Sequence, residues 1–170
     1  MSYTRPMFLN PLIYTLTAFV ESIGIRAVAA SSVAQTVFPG LDIQHGCVLV
    51  DEARVIYPGD ILHEAGHLAV TDPQRRNAAR LTPSGGDELS ALAWSYAAAL
   101  HLKLDPAVVF YPSSYHGSGS ALLENFAAGR YIGVPMLQRY GMTVAARPTA
   151  KPSDKSDNHY PHMRKWLREG

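Results

Sequence analysis

The chain has little cysteine, little charge of either sign and no long apolar run. Its one cysteine, Cys47, excludes an internal disulfide framework and is typical of a reducing compartment. The formal net charge of +1 gives no electrostatic reason to expect nucleic acid or an anionic membrane as partner. No uninterrupted stretch approaches the roughly 18 apolar residues that a transmembrane helix needs. We therefore expect a cytoplasmic protein, with neither membrane nor nucleic acid as partner and with an oligomeric state that the sequence leaves open.

The N-terminal region carries weak features of a secretory signal. Residues 8–20 are mostly apolar, and Ala27-Val28-Ala29 is similar to a signal-peptidase site. However, Asn10-Pro11 interrupts the apolar stretch, and Glu21 and Arg26 fall before the cleavage point. Export is therefore not favoured.

The most informative motif is His63-Glu64-Ala65-Gly66-His67. On a helix, residues four apart lie on one face, so both imidazoles can reach one ion. Zn²⁺ accepts neutral histidine nitrogens and tolerates an open fourth position for water. Glu64 lies roughly 100° around the helix from His63, which favours it as a general base and not as a ligand. The flanking residues are apolar, so without a metal these polar groups would be buried at a cost of several kcal/mol.

A catalytic zinc site normally has three protein ligands, so a third is sought. A histidine or aspartate six residues after His67 is excluded, because Pro73 stands there. The other common arrangement takes a carboxylate from a second helix, and Asp87 and Glu88 open such a helix. Its expected core-facing stripe is Leu89, Leu92, Ala93, Tyr96 and Leu100. Glu88 borders that stripe and is the favoured ligand, whereas Asp87 suits helix capping and stays the alternative.

The motif followed by Glu88 resembles the gluzincin branch of zinc metallopeptidases. The short spacing, the small size and the run from Glu88 to Ala93 are more similar to minimal ImmA/IrrE-type metallopeptidases. The resemblance covers roughly residues 47–100. It implies an α+β fold with a zincin-like core, in which a small β-hairpin or sheet packs on the motif helix beside a second, buried ligand helix. It also implies Zn²⁺ held by His63, His67 and Glu88, and a peptide or protein as substrate.

The expected chemistry is peptide hydrolysis, with Glu64 moving a proton from water to the leaving amine. A developing oxyanion needs a further donor, and Tyr115 and His116 resemble the donors that gluzincins use. Cys47 could instead be a thiolate ligand, but a buried core cysteine is favoured. Two other functions stay open: a metal-binding regulatory module or a non-peptidase amide hydrolase of the same fold, and a helical binding protein in which the motif is coincidental.

The remaining pattern predicts the arrangement of elements along the chain. Helices are expected over 11–30, where Gly24 breaks or ends the first helix, and over 31–35, 87–102, 122–128 and 135–140, with Asp60 capping the motif helix. Cys47–Val50 is expected to form a hairpin with 55–57, and 55–57 could pair with an extended substrate. Residues 1–146 are expected to form a single domain, followed over 147–170 by a flexible linker and a short C-terminal helix.

Overall fold

The computed structural model describes residues 8–145 and 158–170. In those ranges the chain forms a mixed helix-and-sheet fold, which confirms the expected α+β class. The elements in chain order are α1 (Pro11–Ser22), β1 (Arg26–Ala29), β2 (Leu41–Gln44), β3 (Cys47–Val50), α2 (Asp60–Val70), α3 (Pro73–Arg76), α4 (Gly85–His101), a 3₁₀ helix (Pro106–Val108), α5 (Ser114–Gly117), α6 (Gly119–Ala127) and α7 (Val134–Arg139). None of the helices in the described ranges combines the length and the apolarity needed to cross a bilayer.

Helix α1 begins where predicted but ends earlier. The Asn10 side chain accepts hydrogen bonds from the N–H groups of Leu12 and Ile13, and Pro11 occupies the first turn, where its missing N–H costs nothing. Gly24 has a φ of 96°, which reverses the chain after the helix. The helix thus ends just before Gly24, where a break or end was predicted, and the helical assignment of 25–30 is wrong because residues 26–29 form β1.

The predicted hairpin has one correct strand and the wrong partner. β3 lies in the centre of the sheet, parallel to β1 and antiparallel to β2. The hairpin turn is His45-Gly46, in which both residues have positive φ, as a two-residue hairpin turn of type I′ requires. Residues 55–57 are not a strand, and Ile56 and Tyr57 are exposed. The predicted helix over 31–35 is also absent, because this segment is held in irregular form by Ser32 N–H donating to Asp51 and by Arg54 donating to the Val33 carbonyl.

Helices α2 and α4 pack together and form the centre of the fold. A Cβ on Gly66 would lie 3.1 Å from the Ala91 carbonyl oxygen and 3.2 Å from the Trp94 ring, so glycine allows this close approach. The Ser95 hydroxyl lies 3.3 Å from the Leu62 carbonyl oxygen across the same contact. The sheet contacts the other side of α2 through β2 and β3, so α2 is buried along nearly its whole length.

The C-terminal segment 158–170 packs on these two helices without forming the predicted helix. Two hydrogen bonds join the segment to α4: the buried Tyr160 hydroxyl donates to the Ala93 carbonyl, and the Trp166 carbonyl accepts from Trp94 Nε1. Arg168 N–H donates to the Ala69 carbonyl, and its guanidinium lies 3.5 Å from the Asp72 carboxylate. Because these hydrogen bonds tie successive residues of the segment to α4 and α2, the segment follows the surface of the two helices. The predicted linker over 147–157 lies outside the described residues.

Candidate metal centre

Helix α2 brings the two motif histidines to one point, as their four-residue spacing predicts. Both are buried, with 2% of His63 and 6% of His67 exposed. Their Nε2 atoms lie 2.9 Å apart, and their rings meet edge to face. Two imidazole lone pairs at this distance repel each other unless a proton or a cation lies between them. The pair is therefore a natural place for a positive charge.

Glu88 reaches the same point from the first turn of α4. Its Oε1 lies 3.2 Å from His63 Nε2, and its Oε2 lies 3.1 Å from His67 Nε2. Hydrogen bonds from both histidines hold the pKa of this carboxyl well below its usual range. Burial lowers the pKa of His63, so its neutral form, the one that binds metals, is favoured.

The neighbouring acid, Asp87, has a different role. The Ser84 hydroxyl accepts a hydrogen bond from the Asp87 N–H, and the Asp87 carboxylate accepts from the Ser84 N–H. This reciprocal pair is a capping box at the start of α4. The two acids thus point in different directions, as the helix phase predicted from the sequence. Leu89, which was expected on the core-facing stripe, is exposed.

The three side chains fit a divalent ion that prefers nitrogen and oxygen ligands. Ligand atoms of His63, His67 and Glu88 all lie within 4.8 Å of one another, and the nearest pairs are 2.9 to 3.2 Å apart. Ligands that each lie about 2.0–2.2 Å from one tetrahedral zinc ion are separated by roughly this distance. Two histidines and one glutamate form a ligand set of the catalytic type, which leaves a fourth position open. The group could therefore hold a metal ion.

Glu64 lies beside this group and is half-buried. Burial raises its pKa to about 7, against an opposing effect of His67, and the nearby carboxylates of Asp60 and Asp42 raise it further. A carboxyl that titrates near neutral pH is suited to both accepting and delivering a proton. The structure thus places the expected base next to the expected ligands.

Tyr115 and His116 lie in α5, a single turn, and not in an open loop. The Tyr115 hydroxyl is 3.1 Å from His63 Nδ1, the ring nitrogen that does not face Glu88. Its pKa is raised, first of all by burial. His116 is exposed at the edge of the cleft. Their role as oxyanion donors stays a prediction, and the Tyr115 hydroxyl is already engaged with a histidine of the site.

The site lies at the bottom of a cleft of about 880 Å³. One wall is β2, the edge strand of the sheet, so the edge that was expected over 55–57 is provided by Leu41–Gln44 instead. The Ile43 N–H bonds to the Asp42 side chain. Three exposed apolar side chains also line the cleft, and we call them the apolar rim: Val37, Ile56 and Tyr57.

A buried acid at the start of α2 lies near the site as an electrostatic neighbour of Glu64, which the sequence did not predict. Asp60 was expected to cap α2, but Gly59 holds the cap position, and the Asp60 carboxylate accepts from the Tyr111 hydroxyl at 3.1 and 3.0 Å. Burial raises the Asp60 pKa to about 7, against the lowering effect of the Tyr111 hydrogen bond. The Tyr111 ring stacks on Tyr57 at 3.8 Å. The available signal was spacing, since Asp60 precedes His63 by one helical turn.

Cys47 takes no part in the metal-binding group. It lies half-buried on β3, with its Sγ 3.6 Å from the His45 carbonyl oxygen, so the expectation of a buried core cysteine is wrong.

Comparisons of the chain with protein-family models, with curated proteins and with solved structures found no match.

Proposed function

We propose that this chain is a zinc-dependent metallopeptidase with a zincin-like core. One observation carries the proposal: His63 Nε2, His67 Nε2 and the Glu88 carboxylate converge to about 3 Å at the bottom of a cleft, beside Glu64. A ligand triad alone fits many metal proteins. The added carboxyl of Glu64, a proton acceptor that lines the same cleft, is what favours hydrolysis over storage or structural binding.

The residues divide the chemistry among them. A zinc ion held by His63, His67 and Glu88 would supply Lewis acidity and lower the pKa of water. Glu64 accepts the proton of the attacking water on its carboxylate and then delivers it to the leaving amine. Burial raises the pKa of Glu64 in the metal-free chain, which makes its carboxylate a better proton acceptor than that of a free glutamate.

A peptide substrate is supported by the wall of the cleft. An extended backbone can add to the free edge of β2, which is a common mode of peptide recognition. The Ile43 N–H donates to the Asp42 carboxylate on this edge strand, so an arriving carbonyl can replace that local partner. The apolar rim would then contact apolar side chains of the substrate.

Metal content and peptide hydrolysis, measured on the parent and on Glu64→Gln, test the proposal. The parent should contain about one zinc ion per chain and hydrolyse internally quenched peptides that carry apolar residues. Glu64→Gln should keep the metal and lose roughly 10²–10⁴-fold in kcat, the usual contribution of general acid–base catalysis.

Each other outcome has a definite meaning. Hydrolysis that survives in Glu64→Gln contradicts the assignment of the base. Zinc without hydrolysis of any peptide favours the metal-binding regulatory module. A parent that binds no zinc, even after chelation and re-addition, refutes the metal centre and the peptidase together.

A further inference from the structure

Helix α5 contains an unusual stretch of backbone. Tyr115 has φ 52° and ψ 49°, His116 has φ 58° and ψ 36°, and Gly117 has φ 86°. Three consecutive residues therefore turn in the left-handed sense, a region that L-amino acids other than glycine avoid. Such strain persists only where the surrounding structure imposes it, and it often marks a functional position.

The neighbouring contacts hold this turn in place. The Ser114 hydroxyl donates to the Tyr111 carbonyl, and the Ser118 N–H donates to the Tyr115 carbonyl. A Cβ on Gly119 would lie only 1.9 Å from the Tyr111 carbonyl oxygen, so the chain passes as closely as glycine allows. Contacts before and after the turn thus fix its backbone conformation, so packing and not a flexible loop sets where the turn points.

The turn directs one side chain to the metal centre. The Tyr115 hydroxyl reaches His63 Nδ1 at 3.1 Å, while the other nitrogen of that ring faces Glu88. To bind an ion through Nε2, His63 must carry its proton on Nδ1, and that N–H then donates to the Tyr115 oxygen. By contrast, His67 Nδ1 is buried and has no hydrogen-bond partner among the described residues.

We propose that Tyr115 is the positioning residue of the metal centre, and that the left-handed turn exists to hold its hydroxyl against His63. The hydroxyl fixes the tautomer and the ring orientation of His63, in the place where many metal sites use a carboxylate or a carbonyl. It acts through the histidine and not on the substrate. The inference rests on the proposed metal site but not on peptide hydrolysis.

The test compares zinc affinity, by competition with a chromophoric chelator, in the parent, Tyr115→Phe and Tyr111→Phe. Tyr115→Phe should weaken zinc binding roughly 10–100-fold, the range for residues that orient a ligand. Tyr111→Phe is the matched control, since it removes a hydroxyl that bonds to Asp60 and to no ligand of the site. Its zinc affinity should equal that of the parent. With Co²⁺ in place of zinc, only Tyr115→Phe should shift the visible absorption bands.

A second pair of variants addresses the turn and keeps the hydroxyl. Gly117→Ala and Gly129→Ala each place an alanine at positive φ with no atom within 4 Å of the new Cβ. The two should lose similar thermal stability, but only Gly117→Ala should weaken zinc binding. This pair keeps the inference testable if Tyr115→Phe fails to fold.

The outcomes separate the inference from the proposed function. A parent that binds zinc, with parental affinity in Tyr115→Phe or, where that variant does not fold, in Gly117→Ala, overturns the positioning role and leaves the metal site standing. A parent that binds no zinc overturns both.

Discussion

The bottom and the rim of the cleft are built in opposite ways. At the bottom, polar side chains are buried: His63 and His67 are 2% and 6% exposed. At the rim, apolar side chains face solvent: Val37 is 87% exposed and Ile56 is 62% exposed. Most proteins do the reverse, and each departure costs stability unless something else binds there. The inversion supports the proposal that the bottom binds a metal ion and the rim a substrate chain.

The two regions also differ in what holds them. The bottom is carried by α2 and α4, which pack directly on each other around Gly66. The rim belongs to segments outside the helices and strands. We therefore expect substitutions at the bottom to change metal binding and stability together, and substitutions at the rim to change substrate binding alone.

The largest expected effect comes from removing the proposed ligand on α4. Glu88→Ala should lower zinc affinity by more than about 100-fold if Glu88 binds the ion directly, whereas residues that only orient a ligand contribute roughly 10–100-fold. Elemental analysis of the purified variant, with chelator competition for the affinity, measures the loss.

Asp87→Ala is the matched control for Glu88→Ala. It breaks the capping box and should lower the free energy of unfolding by about 1 kcal/mol, with zinc content unchanged. The opposite result, with zinc kept in Glu88→Ala and lost in Asp87→Ala, would make Asp87 the ligand.

A smaller effect is expected where the two helices touch. Gly66→Ala gains helix propensity of about 1 kcal/mol, but its Cβ would meet the Ala91 carbonyl and the Trp94 ring, both in the core. Overpacking costs typically 1–3 kcal/mol, so we expect a net loss of about 1 kcal/mol together with weaker zinc binding, as α4 shifts relative to α2.

Gly85→Ala is the matched control for Gly66→Ala, because it also replaces a glycine of a helix but not one at a close contact between helices. Nothing lies within 4 Å of its Cβ, and Gly85 stands in the first turn of α4. Chemical denaturation should show this variant as stable as the parent or slightly more so. Equal stability changes in the two variants would mean that Gly66 is not needed for the close approach.

The sequence predicted the bottom of the cleft far better than its walls. The pair His63 and His67 follows from helical spacing alone, and the phase of α4 was enough to separate Glu88 from Asp87. The wall strand β2 was missed because its hairpin turn is His45-Gly46, whereas the usual sequence signals for a two-residue hairpin turn are Asn-Gly, Asp-Gly and Gly-Gly. The contact of Tyr115 with His63 joins residues 52 positions apart through a strained turn, for which local sequence carries no signal.

A pH-dependent effect is expected from Asp60 in the metal-free protein. Its pKa of about 7 in the folded chain is above its ordinary value of 3.8, so the folded state holds the proton more tightly than the unfolded state does. The stability contributed by the protonated form is present below about pH 4 and is lost as pH rises to about 7. A pKa difference of about 3 corresponds to a loss of at most about 4 kcal/mol, and the dipole of α2, which favours the carboxylate at this position, reduces that loss.

Asp60→Asn should remove this contribution. Denaturation of variant and parent at pH 4 and pH 8 should show the variant gaining relative to the parent at the higher pH. Tyr111→Phe sharpens the comparison, since loss of its hydrogen bond should raise the Asp60 pKa and extend the change above pH 7. Parallel curves for Asp60→Asn and the parent would contradict the assignment.

The smallest expected effect on stability, and the one that isolates the rim, comes from Ile56→Ser. Ile56 is 62% exposed, so this change should alter the free energy of unfolding by less than about 0.5 kcal/mol. If an apolar substrate side chain covers it, the lost contact is worth about 1 kcal/mol, which raises KM roughly fivefold for apolar peptides and leaves kcat and zinc content unchanged. Leu9→Ser is the matched control, because Leu9 is 86% exposed and does not line the cleft. A KM that rises equally in both variants would mean that the rim does not bind substrate, and the exposed apolar side chains would then need another partner to explain them.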